Sequence, residues 1–397
     1  MKALQICPKP PRPSVDGGCL AMDAITTGLL DAGCDLKVLV TSTHKHPVKL
    51  DYLRDDYVKS VGFTSFNIDT RIKPLSALKH IITGVSYNIS RFHSTELDSE
   101  IEKLITENDY DFIILESLYT ASYIDTIRKV SKAKIILRAH NVEHQIWEGL
   151  ASKTRVGLKK WYLRRLSKQL RAFEIQHINE VDAIIPITEE DAETFKRLGA
   201  TVPVNVSSFG LDFSEDGGVT ETPEYDHVFH FGSMDWEPNV HGVRWLVDEV
   251  WPIVRKEIPK AELVLAGRNM PPEFFSNSSV GVSVIGEVAD ASEFLKRSGI
   301  MTIPLHSGSG MRIKAVEGMA AGKPTVSTHL GVCGLGLTEG KHALIADDAG
   351  GFASNIIELL ENGEVAQNIS ESGKKHIREH FSNKKIIKRL IEFLGQL

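Results

Sequence analysis

The sequence predicts an α/β protein made of two doubly wound parallel sheets, each with helices on both faces. Two features carry this. Short apolar runs recur through both halves between stretches of helical spacing, the pattern of strands buried on both faces. The chain, at 397 residues, is long enough for two cores, and the alternation breaks once, at 201–226, where Gly210, Gly217, Gly218, Pro223 and several acids read as a linker.

The first series opens with a strand at 2–7, a Pro/Gly loop to Gly18, a helix over 20–32 and a strand at 37–42. Further strands fall at 112–115, after the turn residues Asn108–Asp111, and at 134–137 and 183–187. The second series has strands at 227–231, 262–266, 282–285, 300–305 and 325–327. A helix starts near Asn239, where Pro238 suits the first turn. Helices at 351–362, 364–380 and 383–394 follow.

Composition excludes several classes. The chain is 42% hydrophobic and 25% charged, ordinary for a soluble protein. A net charge of −6 argues against a chain built to coat nucleic acid. Cys7, Cys19, Cys34 and Cys333 show no CxxC spacing and suit small buried residues in a reducing cytoplasm. The first fourteen residues hold too few apolar side chains before their prolines for a secretory signal, and no run is long enough to span a membrane. The expected location is the cytoplasm.

The most informative segment is 301–322, MTIPLHSGSGMRIKAVEGMAAG. An apolar strand meets a bend containing Gly308 and Gly310, and an Ala-rich helix follows. Free N–H groups at such a helix start favour an anion. Arg312 and Lys314 sit in the first turn, where the helix dipole disfavours cations unless an anion lies between. Glu317 lies two turns beyond Gly310 on the same face. A basic pair for a diphosphate and a carboxylate for ribose hydroxyls describe a nucleotide-sugar site; an ordinary surface helix with exposed Arg, Lys and Glu is the alternative.

Taken in order, FHFGSMDWEPNVHGVRWLVDEVWPIV, AELVLAGR and PLHSGSGMRIKAVEGMAAGKPTVST, together with Gly17-Gly18, RAHNVEH, ITEEDAETFKRLG and SFGLD, make the chain resemble the retaining glycosyltransferases known as glycosyl transferases group 1. The resemblance implies the GT-B fold: two facing Rossmann-like domains with a central cleft. The N-terminal, acceptor-side domain would span 1–208 and be completed by a C-terminal helix at 378–397. The donor-side domain would span 209–377.

The resemblance also implies site roles. Gly17 and Gly18 would contact the donor diphosphate or sugar, and His140 the sugar and the reacting diphosphate. Gly232, Ser233, Arg268, Ser309, Gly310, Arg312 and Lys314 would line the donor, and Glu317 would hold the ribose. Gly286, Glu287 and Val288 fall where relatives hold the base. The expected catalytic pair is His140 and Glu317. This sequence departs from the family in three places. Ser233 stands where relatives carry Arg, Asn239 falls near their Lys, and Ser309 replaces the first glutamate of their Glu, seven residues, Glu motif. Arg312 and Lys314 are then expected to supply the positive charge. Asp235 or Asn239 serve equally well as helix caps.

Asp109-Tyr-Asp111 matches a DxD metal signature, but its place in a turn makes ordinary turn residues the better reading. No metal or other cofactor is expected. The expected partners are a UDP- or GDP-sugar and a glycan or lipid-linked acceptor, with no nucleic acid. Residues 150–173 contain eight Lys/Arg and no acid, and Leu158, Trp161, Tyr162, Leu166, Leu170 and Phe173 recur near helical spacing. This stretch suits either a packed helix with a solvated basic face or peripheral contact with the inner membrane face. Residues 71–94 are a second candidate for the acceptor side.

The expected activity is transfer of a sugar to a hydroxyl with retention, in surface-glycan synthesis. A nucleotide-sugar epimerase of the same architecture and a non-catalytic nucleotide- or glycan-binding protein are the alternatives.

Overall fold

The computed structural model describes residues 1–13, 17–48, 56–212, 225–276, 281–308 and 312–397. The chain divides into two compact units, Met1–Gly210 with Asn383–Leu397, and Leu211–Ser382.

The first unit holds a six-stranded parallel sheet in the order β3-β2-β1-β4-β5-β6. Its strands are β1 (Lys2–Cys7), β2 (Asp35–Ser42), β3 (Thr64–Asn67), β4 (Phe112–Glu116), β5 (Lys134–Ala139) and β6 (Ala183–Pro186). β4 is buried along its whole length, as a strand covered on both faces must be. β3 alternates between half-buried and exposed residues, as expected at a sheet edge, and has too few apolar residues to read from sequence. Part of the predicted linker extends the opposite edge. Ile184 N–H donates to the Pro203 carbonyl at 3.0 Å, and Ser207 N–H to that of Pro186 at 2.9 Å. Residues 213–224, including Gly217, Gly218 and Pro223, lie outside the described residues.

The helix Asn383–Leu394 belongs to the first unit. It packs on Gly17–Asp31, burying Ile387, Leu390 and Leu394 with Ile25 and Leu29. Gly28 permits this contact, since a β-carbon there would overlap Ile387. Asn383 Nδ2 donates to the Ala24 carbonyl at 2.9 Å.

The second unit repeats the plan, with parallel order β12-β11-β10-β7-β8-β9. The strands are β7 (Val228–Phe231), β8 (Leu263–Ala266), β9 (Val282–Gly286), β10 (Ile300–Ile303), β11 (Thr325–Ser327) and β12 (Leu344–Ile345). Two sheets of this kind form the GT-B architecture. In each, the order reverses beside the first strand: between β1 and β4 in one unit, between β7 and β10 in the other. In doubly wound sheets a ligand crevice lies at the carboxyl ends of the strands at that switch.

The basic stretch 150–173 is two helices, Glu143–Lys153 and Leu158–His177, and the expectation of one continuous helix is corrected. Gly157, at φ +144°, marks the break, a conformation closed to most L-residues. Only the later part of the apolar stripe enters the core. Leu166 and Leu170 are buried, whereas Leu158 and Trp161 are exposed.

Candidate functional site

In the second unit, the switch point gathers most of the predicted donor residues. Gly232 follows β7, and its N–H donates to the Ala266 carbonyl at 3.1 Å. Gly232 has no room for a side chain: a β-carbon would lie 2.9 Å from Asn239 Nδ2 and 3.1 Å from His230 Nε2. His230 is buried, with Nδ1 3.1 Å from the Thr302 carbonyl, and burial lowers its pKa to about 4, so the ring is neutral.

Ser233 and Arg268 meet at Asp235. The Ser233 hydroxyl donates to Asp235 Oδ2 at 3.0 Å, Arg268 Nε lies 3.1 Å from the same oxygen, and Asn269 donates to Oδ1 at 2.6 Å. The helix Glu237–Trp245 starts from Trp236 with no side-chain cap. Asp235 and Asn239 are therefore not its caps. Asp235 ties the β7 loop to the β8 loop, and Asn239 Nδ2 donates to the Ser233 carbonyl at 2.8 Å.

The helix Ile313–Ala320 follows β10, and Arg312 is its N-cap residue. Arg312 is buried to 8% exposure, and its guanidinium carbon lies 5.0 Å from the Trp236 ring centroid, a cation–π contact. Burial lowers its pKa. Gly308, at φ +111°, backs this stack, since a β-carbon there would overlap Trp236. Lys314 Nζ sits 2.8 Å from Glu317 Oε2 and 4.7 Å from the Phe231 ring centroid, so it reaches across to the end of β7. Arg312, Lys314 and Glu317 thus share one helix start. Ser309 and Gly310 lie outside the described residues. Gly286 ends β9 at φ +71°, with Glu287 exposed after it.

In the first unit, Gly17 and Gly18 open the helix after β1. His140 follows β5, and its Nε2 lies 2.6 Å from Glu116 Oε2 at the end of β4. Glu116 is the centre of a buried polar network. Arg138 donates to Oε2 at 3.0 Å, and Gln5 Nε2 donates to Oε1 at 2.7 Å. Thr26 Oγ1 donates to Gln5 Oε1 at 2.7 Å. Burial works to raise the Glu116 pKa, but Arg138, His140 and Gln5 overcome it and hold it at about 2. Burial lowers the His140 pKa, and the bond to Glu116 offsets part of that. An anionic Glu116 thus orients a half-buried His140.

Sequence reading missed Glu116, Gln5, Thr26 and Trp236. A carboxylate ending a wholly apolar strand was the available signal for Glu116. Its alignment beside Arg138 is set by strand register, which the sequence does not print.

A second buried acidic group lies nearby. Glu143 N–H donates to Glu174 Oε1 at 3.1 Å, and His144 Nδ1 lies 2.5 Å from Glu174 Oε2. Tyr119 donates to Glu143 Oε2 at 3.1 Å. Burial, with Glu174 beside it, raises the Glu143 pKa to about 7. In the DxD-like turn, Asp111 accepts from Lys2 N–H at 2.8 Å, an ordinary backbone tie. Among the described residues no group of His, Cys, Asp and Glu is placed to hold a metal, and no helix is long and apolar enough to cross a membrane. Cys7, Cys19 and Cys34 are buried and Cys333 is exposed.

Residues 226–362 match the family described as Glycosyl transferases group 1. The chain thus carries a Glycosyl transferases group 1 domain in its second unit, and its two parallel sheets give it the GT-B fold. It is 23% identical over 313 residues, 74% of this chain and 76% of the other, to an uncharacterized 44.6 kDa protein in the cps region of Klebsiella pneumoniae. Among solved structures it resembles sucrose-phosphate synthase from Thermosynechococcus elongatus (TM-score 0.69, 14% identity, covering 100% of this chain and 99% of that one). It also resembles HepE from Anabaena in complex with UDP-glucose (TM-score 0.66, 14% identity, all of both chains).

Proposed function

We propose that this glycosyltransferase moves a sugar from a UDP- or GDP-linked donor to a hydroxyl acceptor on a glycan or lipid-linked glycan, with retention, in surface-polysaccharide assembly. One observation carries the reading: Arg312 and Lys314 stand at the start of the Ile313–Ala320 helix, beside the end of β7 where the strand order reverses. The structure of HepE with UDP-glucose and the cps-region relative support the donor class and the role.

The leaving group is a nucleoside diphosphate. Its charge grows as the glycosidic bond breaks, so fixed cations and N–H donors lower the barrier by holding it best at that moment. Arg312, held in place by Trp236, supplies a planar fork for phosphate oxygens. Lys314 exchanges Glu317 for phosphate, which releases the Glu317 carboxylate to the ribose hydroxyls. Gly232, Ser233 and Arg268 line the same donor site, and Gly17 and Gly18 offer helix-start N–H groups on the first unit. His140, kept in orientation by Glu116, hydrogen-bonds the transferred sugar. All of these groups are the chain's own, and the reading uses neither a metal nor another cofactor.

The test is nucleotide release from a panel of UDP-, GDP-, ADP- and TDP-sugars, with and without glycan acceptors, with the product's anomeric configuration read by NMR. Acceptor-dependent release with an unchanged anomeric configuration is expected. Conversion of the donor sugar without acceptor would instead mark an epimerase.

A further inference from the structure

We propose that the first unit docks on an anionic lipid surface through the tip of the hairpin formed by Glu143–Lys153 and Leu158–His177, together with the adjoining helix Pro74–Thr83. The inference stands apart from the donor reading and rests on exposure, charge and adjacency.

Exposure comes first. Leu150, Val156, Leu158 and Trp161 surround the hairpin turn and are 50%, 93%, 86% and 57% exposed. Beside the Pro74–Thr83 helix, Ile72, Leu75 and Val85 are 71%, 85% and 54% exposed. These seven are most of the eleven large hydrophobic side chains exposed among the described residues, so the exposure is concentrated and not scattered.

The two segments are also neighbours. Arg165 donates to the Ile81 carbonyl at 3.2 Å, and Gln169 to that of His80 at 2.7 Å. Tyr87 and Leu166 are buried together, with Tyr162 packed against them. Trp161 lies one helical turn before Arg165 on the same helix.

Charge selects the occupant. Neither 149–173 nor 70–94 contains an acid, in a protein whose net charge is −6. Arg155, Lys159, Arg164, Lys168 and Arg171 are exposed, and none has a carboxylate partner among the described residues. In the other segment, Arg71 and Lys73 share Asp69, so the hairpin supplies most of the free charge. Glu148 is the acid next to this surface on the hairpin. A second copy of this chain seated face to face would oppose cation to cation. An anionic bilayer meets both demands, its headgroups taking the Lys and Arg side chains and its interface the Trp and aliphatic tips.

The experiment is co-sedimentation of the full chain with vesicles of phosphatidylcholine alone and of phosphatidylcholine with phosphatidylglycerol. Binding to the mixed vesicles, weakened by salt and absent with phosphatidylcholine alone, is expected. Leu158→Ser with Trp161→Ser, and separately Lys159→Glu with Lys160→Glu, should each reduce that binding roughly tenfold or more. All four residues are at the surface, and thermal melting confirms that the variants stay folded. No binding to the mixed vesicles at low salt, or variants that bind like the parent, would overturn the proposal. So would a dimer in solution that the Leu158→Ser, Trp161→Ser variant abolishes, since a second copy would then be the occupant.

Discussion

Glu116 and Arg138 hold paired positions on adjacent parallel strands, and their side chains form a 3.0 Å ion pair that is 0% and 1% exposed. Such a pair contributes little net stability over an apolar substitute, yet breaking it leaves a buried charge. Its use here is positional, since Glu116 also holds His140.

Glu116→Gln should cost roughly 3 kcal/mol near neutral pH. The folded carboxyl is held down to about 2, below its ordinary 4.5. Its contribution is therefore present above 4.5 and lost as pH falls toward 2. Thermal melting of the parent should drop more steeply than that of the variant across that window; parallel curves would contradict the assignment.

Glu143 has the opposite sign. Its pKa is raised to about 7, so the folded state favours the proton, and ionisation costs stability as pH rises from 4.5 to 7. Glu143→Gln keeps an acceptor for Tyr119 and removes that cost. The variant should melt higher than the parent at pH 8, with little difference at pH 4; a lower melting point at pH 8 would refute this.

Arg312→Lys keeps the charge and loses the fork. UDP affinity measured by calorimetry should fall ~10-fold or more, as for loss of a charge-assisted hydrogen bond. Unchanged affinity would remove Arg312 from the phosphate site.

Glu317→Gln separates the phosphate role from the ribose role. Lys314 keeps an acceptor but loses the charge of its 2.8 Å partner, which leaves it more available to anions. Pyrophosphate should bind as well as before or better, while UDP binds roughly 10-fold less well. Equal loss for both ligands would take Glu317 away from the ribose.

Gly242→Ala probes the helix that frames the proposed donor site. A β-carbon at Gly242 would overlap the Pro304 carbonyl just after β10, and backbone cannot move aside cheaply. A loss of about 1–3 kcal/mol in denaturant unfolding is expected; a neutral result would mean the helix shifts freely.

Much of this was legible from residue order, and the reasons differ by element. β1, β4, β7 and β10 announced themselves because strands buried on both faces are apolar along most of their length. β3 and the two-residue β12 did not, since an edge strand needs few apolar residues and a short strand has no period. Arg312, Lys314 and Glu317 were readable because one helix start holds all three. Trp236 was not, because its stack with Arg312 joins two loops from different strands. The 150–173 stretch misled for a related reason: apolar spacing continues across Gly157 even though the helix does not.

The helix Asn383–Leu394 packs on a helix that begins at Gly17, with a hydrogen bond between residues 359 positions apart. A ribosome finishes the second unit before it makes the segment that closes the first. Until then Ile25 and Leu29 lack their cover, so a helix made before the whole second unit is sealed only after it.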